Sequence, residues 1–430
     1  MKKYALLIIG LWVSLISFAG NQPIDPVIKK LNHLLQEESF LELRSELQKL
    51  PRSFSHNTFL YYDAYCYSAF GQYNQSIVAI NQLLNQYRNK LSNQEVVHLL
   101  EQQGLNYNNT FQYHLAAQVY STLLEDFSHL LTKSKSNDYN TLFKINYTLA
   151  KALVGKQKIH ITKDTTIPIY NNIFNHLMIP VSSKGVHDHF IFDTGAQTST
   201  ISHSEAKRLG FKIYETDIDV STATHIQIKT KIGVADSLYV GELLFENVVF
   251  LIAEDNDLFF PELDYQISGI IGYPLIKQMQ EIKIDLTHNA LHIPLKPSSR
   301  KYSNLYFKGQ TPVVIVETPQ DTLKMALDTG AKSSELSVNY FNRHKEEIVA
   351  KSQLETMGRG GAGGTIHEEV YVYPHFQYKI GSKENYLPQI SVNQNEYQFL
   401  KGLDGNLGQD VFTQYNLAII NFKSMFIDFE

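Results

Sequence analysis

One phrase of twelve residues occurs twice in the chain and limits its possible folds more than any other feature. It reads I-F-D-T-G-A-Q-T-S-T-I-S at 191–202 and A-L-D-T-G-A-K-S-S-E-L-S at 326–337. Each copy sets two apolar residues before Asp-Thr-Gly-Ala and runs on through small polar residues to a serine. Asp and Gly are ordinary turn residues, so one copy alone would say little. Two copies, with Asp193 and Asp328 lying 135 positions apart (328 − 193), point to a duplicated unit the size of a small β domain.

The surroundings repeat as well. Apolar strand-like runs at 177–181 and 190–192, joined across a turn at 182–188, lead into Asp193. Runs at 312–316 and 323–327, joined across a turn at 318–321, lead into Asp328 in the same way. Gly269-Ile270-Ile271-Gly272 begins 76 residues after the first aspartate (269 − 193), and Gly405-Asn406-Leu407-Gly408 begins 77 after the second (405 − 328). Asn406 departs from the apolar pattern of its counterpart. A strand pair closes each half, at 282–293 and 417–429, and Pro294 to Ser299 between them reads as an extended, semi-rigid linker.

Paired D-T-G-A loops, each with an apolar-Gly strand downstream, resemble the active-site loops of the pepsin and retropepsin superfamily of aspartic proteases. The resemblance covers roughly residues 165–430 and is specific at the two loops. It implies two pseudo-twofold-related acid-protease β-barrel units, at 158–295 and 302–430, with Asp193 and Asp328 as the catalytic pair. Thr194 and Thr329 would hydrogen-bond across to the opposite loop, and Gly195 and Gly330 would give the backbone room beneath the carboxylates. Ala196 and Ala331 stand where pepsin-like lobes usually carry Ser or Thr. The glycines Gly358, Gly360, Gly361, Gly363 and Gly364 would form a flap over an extended peptide, with Ser221 to Gly233 as its counterpart in the first half. The implied activity is that of an aspartic endopeptidase, in which two carboxylates share one proton and activate a water. Such chemistry uses no cofactor and no metal, and its partner is a peptide or protein substrate. The two units are expected to pair within one chain. Pairing in trans as a homodimer, and a non-catalytic peptide-binding module on the same fold, stand as the alternatives.

Residues 20–157 follow a helical grammar. Asp25-Pro26 ahead of Val27, Leu31, Leu34 and Leu35 reads as an N-cap, a proline at the first helical position and an apolar face. Gly71-Gln72-Tyr73 leads to Ile77, Ile80, Leu83 and Leu84. Forty residues later Phe111-Gln112-Tyr113 leads to Ala117, Tyr120, Leu123 and Leu124, and Phe40, Leu43, Leu47 and Leu50 make a weaker copy. The pattern resembles a tetratricopeptide repeat with a long period. It predicts helix pairs stacked as a small solenoid with a docking role, an irregular bundle being the alternative. The expected fold class is therefore multidomain: a helical-repeat region, then an all-β pair.

Lys2 and Lys3, the apolar run at 5–18 and Ser17-Phe18-Ala19 read as a secretory signal at 1–19 cleaved near Ala19, hence an exported protein, periplasmic or secreted. A membrane association would come only through an uncleaved signal. Cys66 is the sole cysteine, so no intrachain disulfide can form. A net charge of −5 with no basic run speaks against nucleic-acid binding. Gly358 to Gly363 fits G-x-G-x-x-G, but the alternating, β-branched Thr365 to Tyr373 follows where a phosphate site needs a helix. His187-Asp188-His189 has no third ligand at a telling spacing and reads as a surface turn rather than a metal site.

Overall fold

The computed structural model describes residues 25–430 except 52, 53, 223 and 225, and no side chain is described for 262. The signal expected at 1–19 lies outside the described residues.

A helical region comes first, and a large β-rich region follows it. The helices are Pro26–Gln36, Phe40–Lys49, His56–Ala69, Tyr73–Gln86, Asn93–Asn109, Tyr113–Asp126 and Lys133–Lys151, each packed on the next. Their starts follow capping chemistry. Asp25 Oδ1 accepts the Val27 amide at 2.8 Å, with Pro26 at the first helical position. Ser92 and Glu95 close a reciprocal capping box on the fifth helix. Among the described residues no helix is long and apolar enough to cross a membrane.

The β-rich region presents the same order of elements twice. In the first half, strands Leu177–Ser183 and Val186–Phe192 form a hairpin that runs into the Asp193 loop. Then come strand Thr200–Ser202, helix His203–Arg208, the long hairpin Lys212–Ser221 with Gln227–Val240, strand Leu243–Ala253 and strand Gly269–Ile271. In the second half the series is Thr311–Glu317, Thr322–Leu327, Glu335–Leu336, helix Val338–Lys351, hairpin Gln353–Gly361 with Gly364–Ile380, Lys383–Asn393 and Gly405–Leu407. In each half the hydrogen-bonded pairing returns on itself, through Gln227–Val240 with Leu243–Ala253 and through Thr311–Glu317 with Gly364–Ile380. The turn of the first hairpin is shorter than its sequence suggests. It falls at Lys184 and Gly185, both at positive φ, so His187, Asp188 and His189 lie on a strand and not in a turn.

A separate five-stranded sheet joins the halves. Glu281–Asp285 pairs antiparallel with Leu417–Asn421, flanked by Ala290–Ile293 and Thr165–Pro168 on one side and Phe426–Phe429 on the other. The stretch expected as a plain linker is strapped to this sheet: Ser298 donates its amide to Glu281 Oε2 at 2.7 Å, and Asn421 Nδ2 donates to the Ser298 carbonyl at 2.9 Å.

The helical region sits on the β region rather than apart from it. One apolar core runs from Leu31, Leu43 and Ile80 through Leu275 and Phe307 to Ile420. Tyr73, from the repeated Gln-Tyr turn, meets Tyr273 hydroxyl to hydroxyl at 3.0 Å. Lys277 lies 5.0 Å from the centre of each of those two rings and donates to Asn109. Burial pulls the Lys277 ammonium down to about 7. Phe40 stacks edge-on to Tyr306, and Lys324 Nζ reaches the Glu37 carbonyl at 2.5 Å.

Candidate active site

Each D-T-G-A loop leaves the end of a strand that has a parallel neighbour. Gly269–Ile271 runs beside Val186–Phe192, and Gly405–Leu407 beside Thr322–Leu327. The Asp193 amide donates to the Ile271 carbonyl and the Asp328 amide to the Leu407 carbonyl, both at 3.0 Å. The serines shared by the two phrases hold the next glycines. Ser199 Oγ accepts the Gly272 amide at 3.0 Å, and Ser334 Oγ accepts the Gly408 amide at 2.9 Å. The apolar-Gly stretches picked out by spacing therefore brace both loops from behind.

The loops face each other. The Thr194 amide donates to Thr329 Oγ1 at 3.1 Å and the Thr329 amide to Thr194 Oγ1 at 3.0 Å. The Thr194 hydroxyl then donates to the Leu327 carbonyl and that of Thr329 to the Phe192 carbonyl, both at 2.9 Å. Both threonines are buried, so these four bonds form out of reach of water. A Cβ on Gly195 would stand 2.5 Å from the Asp328 carboxyl carbon, and one on Gly330 would stand 2.5 Å from Asp193 Oδ2. Only glycine lets each loop pass beneath the other's carboxylate.

The two carboxylates are held alike on their inner oxygens. Asp193 Oδ1 accepts the amides of Gly195 at 2.8 Å and Ala196 at 3.1 Å; Asp328 Oδ1 accepts those of Gly330 at 2.9 Å and Ala331 at 3.0 Å. Asp193 is held well above the ordinary carboxylate range, by burial first and then by the charge and hydrogen bond of Asp328; the two amides pull the other way and lose.

Three further residues bear on the pair directly or through a neighbour, and of these only Asn406 is marked in the sequence, as a break in the apolar pattern. Asn406 Nδ2 donates to Asp328 Oδ2 at 2.8 Å. The His176 ring is held low by burial and pulled back up by the charge of Asp328. Arg359, on the second long hairpin, grips Glu335 through both terminal nitrogens, 2.9 Å to Oε1, and Glu368 through Nε at 3.0 Å, with Tyr397 below it at 4.4 Å. Glu335 stands on the strand directly after the Asp328 loop, so this network ties hairpin to loop.

Gly358, Gly360 and Gly361 lie on strand Gln353–Gly361, Gly363 in the turn and Gly364 at the start of the return strand. The G-x-G-x-x-G match is thus strand, turn and strand. The first half has its own hairpin, and the tips of the two meet. Thr224 Oγ1 donates to the Ala362 carbonyl at 3.1 Å, the Gly363 amide donates to the Asp257 carbonyl at 2.7 Å, and Ile226 packs where a Gly363 side chain would be. On the histidine strand, Asp188 pairs with Arg208 at 2.6 Å and His189 stands edge-on to Tyr170. Among the described residues no group of three or more His, Cys, Asp or Glu is placed to hold a metal.

Residues 179–275 match a family described as "Aspartyl protease". The match takes in the Asp193 loop and its bracing strand, and supports an aspartic peptidase in general terms. No curated protein matches the chain.

Proposed function

We propose that the chain is an aspartic endopeptidase that hydrolyses peptide bonds with a water activated between Asp193 and Asp328, its two D-T-G-A units pairing within one chain. The observation that carries this reading is the set of four crossed threonine bonds between the loops. On this reading such bonds hold the two carboxylates close enough that like charges cannot both ionise and the pair keeps one proton, in keeping with the upward push of Asp328 on Asp193. The charged carboxylate takes a proton from the water as general base, while the protonated one polarises the scissile carbonyl and later supplies the leaving amine. The touching hairpin tips support a role as paired flaps, whose glycine-rich backbone amides can reach an extended peptide. Closed circuits of strand pairing and the repeated element order support reading each half as an acid-protease barrel related to the other by a pseudo-twofold axis.

The joining sheet favours pairing in cis, because it spends the terminal strands of one half on those of the other. The helical region fits a tetratricopeptide-like docking module, part of whose surface is already taken by the β region through Tyr73 and Asn109. Export by an N-terminal signal belongs to the same proposal.

The test is cleavage of unstructured peptides by the purified protein, with pepstatin-type analogues and chelators as probes and Asp193→Asn and Asp328→Asn as variants. Inhibition by the analogue, indifference to chelator and near-complete loss in each single variant are expected. Roughly half the rate surviving in both single variants, with none in the double, would replace cis pairing by trans. No cleavage by the parent protein would leave the peptide-binding module as the better reading.

A further inference from the structure

We infer that Asn406 decides where the pair's single proton resides, its amide holding the charge on Asp328 and leaving the proton on Asp193. The inference rests on the reading of Asp193 and Asp328 as a working pair and adds a positioning residue to it.

Strand register makes the comparison between the halves direct. Ile270 stands opposite Ile191 on the bracing strand of the first half, and Asn406 stands opposite Ala326 at the same place in the second. Across the ladder Ile270 faces Thr200 and Asn406 faces Glu335, again the same position in both phrases. An apolar side chain is therefore sufficient for the strand to form and brace its loop. Asn406 is 3% exposed and its Oδ1 finds no partner among the described residues, a costly arrangement at a position where the other half carries a partly buried isoleucine. What the amide does make is one bond, Nδ2 to Asp328 Oδ2 at 2.8 Å. The inner oxygens of the two aspartates are bonded alike, so this bond to the outer oxygen breaks the equivalence of the pair.

An N–H donor stabilises a carboxylate anion far more than an outer oxygen that itself carries the proton and keeps only weak acceptor capacity. With one proton on the pair, the state with Asp328 charged keeps the Asn406 bond; the state with Asp193 charged weakens it. The titratable groups facing Asp328 are Asp193 and His176. A protonated His176 would favour the same placement, but burial keeps the ring toward its neutral form. Glu335, opposite Asn406, spends its carboxylate on Arg359 and on Asn393 Nδ2 at 2.8 Å. The placement assigns roles in the proposed reaction: Asp328 as the base toward water, Asp193 as the acid toward the carbonyl.

The experiment is carbon-13 carboxyl NMR of aspartate-labelled full-length protein across pH, with Asp193→Asn and Asp328→Asn used to assign the two signals. Asn406→Leu removes the donor at nearly constant volume. Asn406→Ser, whose hydroxyl stops one bond short, is the second variant should leucine not fold. In the pH range where the pair holds one proton, the parent should show Asp193 at the acid position and Asp328 at the carboxylate position. In either variant the two signals should converge as the proton is shared. In parallel, the acid limb of the kcat/KM profile should rise by about one pH unit, a tenfold change in the pair's first ionisation, while the alkaline limb moves by only a few tenths. Coincident signals in the parent, or separate signals that persist in a folded variant, would overturn the inference. Signals in reverse order would mean that the amide turns its carbonyl to a protonated Asp328, and would overturn it too. The NMR result stands whether or not peptides are cleaved, so an inactive parent would defeat the peptidase reading without touching this one.

Discussion

Replacing Gly195 by alanine tests the site through a single methyl group. The new Cβ would stand 2.5 Å from the carboxyl carbon of Asp328 and 2.7 Å from its Oδ1, where ordinary contacts begin at 3.4 Å. The carboxylate or the loop must therefore yield by about 1 Å. The four threonine bonds resist that movement, because shifting one loop stretches contacts on the other. A displacement of that size at a reacting group costs about 100-fold in rate, near 2.7 kcal/mol of barrier. The overlap itself should cost about 1–3 kcal/mol of stability. Gly104→Ala is the matched control. Its Cβ would meet the Tyr120 ring at 2.9 Å, inside the helical region and away from the aspartates. The assay is kcat and KM on a fluorogenic peptide, corrected for folded fraction by a thermal melt. Gly195→Ala should lose about 100-fold in kcat with a modest fall in Tm; Gly104→Ala should lose Tm and keep kcat/KM. Normal turnover in a folded Gly195→Ala, or equal losses in the two variants once folding is corrected for, would refute the reasoning.

Other outcomes follow from the same geometry. Because Asp193 holds its proton above the unfolded carboxyl value of about 3.9, the parent should lose stability as pH rises past 4. Asp193→Asn does not titrate, so it should melt higher than the parent at pH 7, with the gap closing below pH 4; a gap that ignores pH would contradict this. Deleting glycines between Gly360 and Gly364 should raise KM and slow turnover in a folded protein, since the tip contacts of Ala362 and Gly363 go with them. Unchanged kinetics would assign substrate closure to the first hairpin alone. Lys277, pulled down to about 7, should let the parent gain stability between pH 7 and 10 as the unfolded chain binds more protons. Lys277→Met should therefore raise Tm more at pH 6 than at pH 9, and a uniform gain would rule out the buried-charge account.

What the sequence disclosed was whatever repeats. The D-T-G-A phrase, its shared serine and the glycine pair downstream recur at matched spacing, and the structure brings them together in one network of hydrogen bonds from backbone amides to side chains and carbonyls. The hairpin at Gly358–Gly364 was legible because its residues alternate around a glycine turn. Asn406 was visible only as an irregularity; its bond to Asp328 depends on a register that no local pattern encodes. Arg359 stood unmarked inside the glycine run, since Glu335 and Glu368 reach it from two different strands and Tyr397 from a loop. Tyr73 was read as a repeat position, which it is, but its meeting with Tyr273 spans two hundred residues and leaves no periodic trace. The strand at 186–192 was misjudged at its start because the polar His187 and Asp188 continue the polar run of the turn at Lys184 and Gly185.

The sheet that binds the halves also sets a clock. Ile282 finds its partner only in Ile420, and Ala418 to Asn421 are in turn covered by Phe426–Phe429. Pairings so distant along the chain are among the last to form. A ribosome that has delivered Asp193 has made one carboxylate and no opponent for it, and even Asp328 arrives well before the strands that lock it in place. On the proposed reading of the pair, chemistry waits for both halves, because the sheet that joins them takes strands from each.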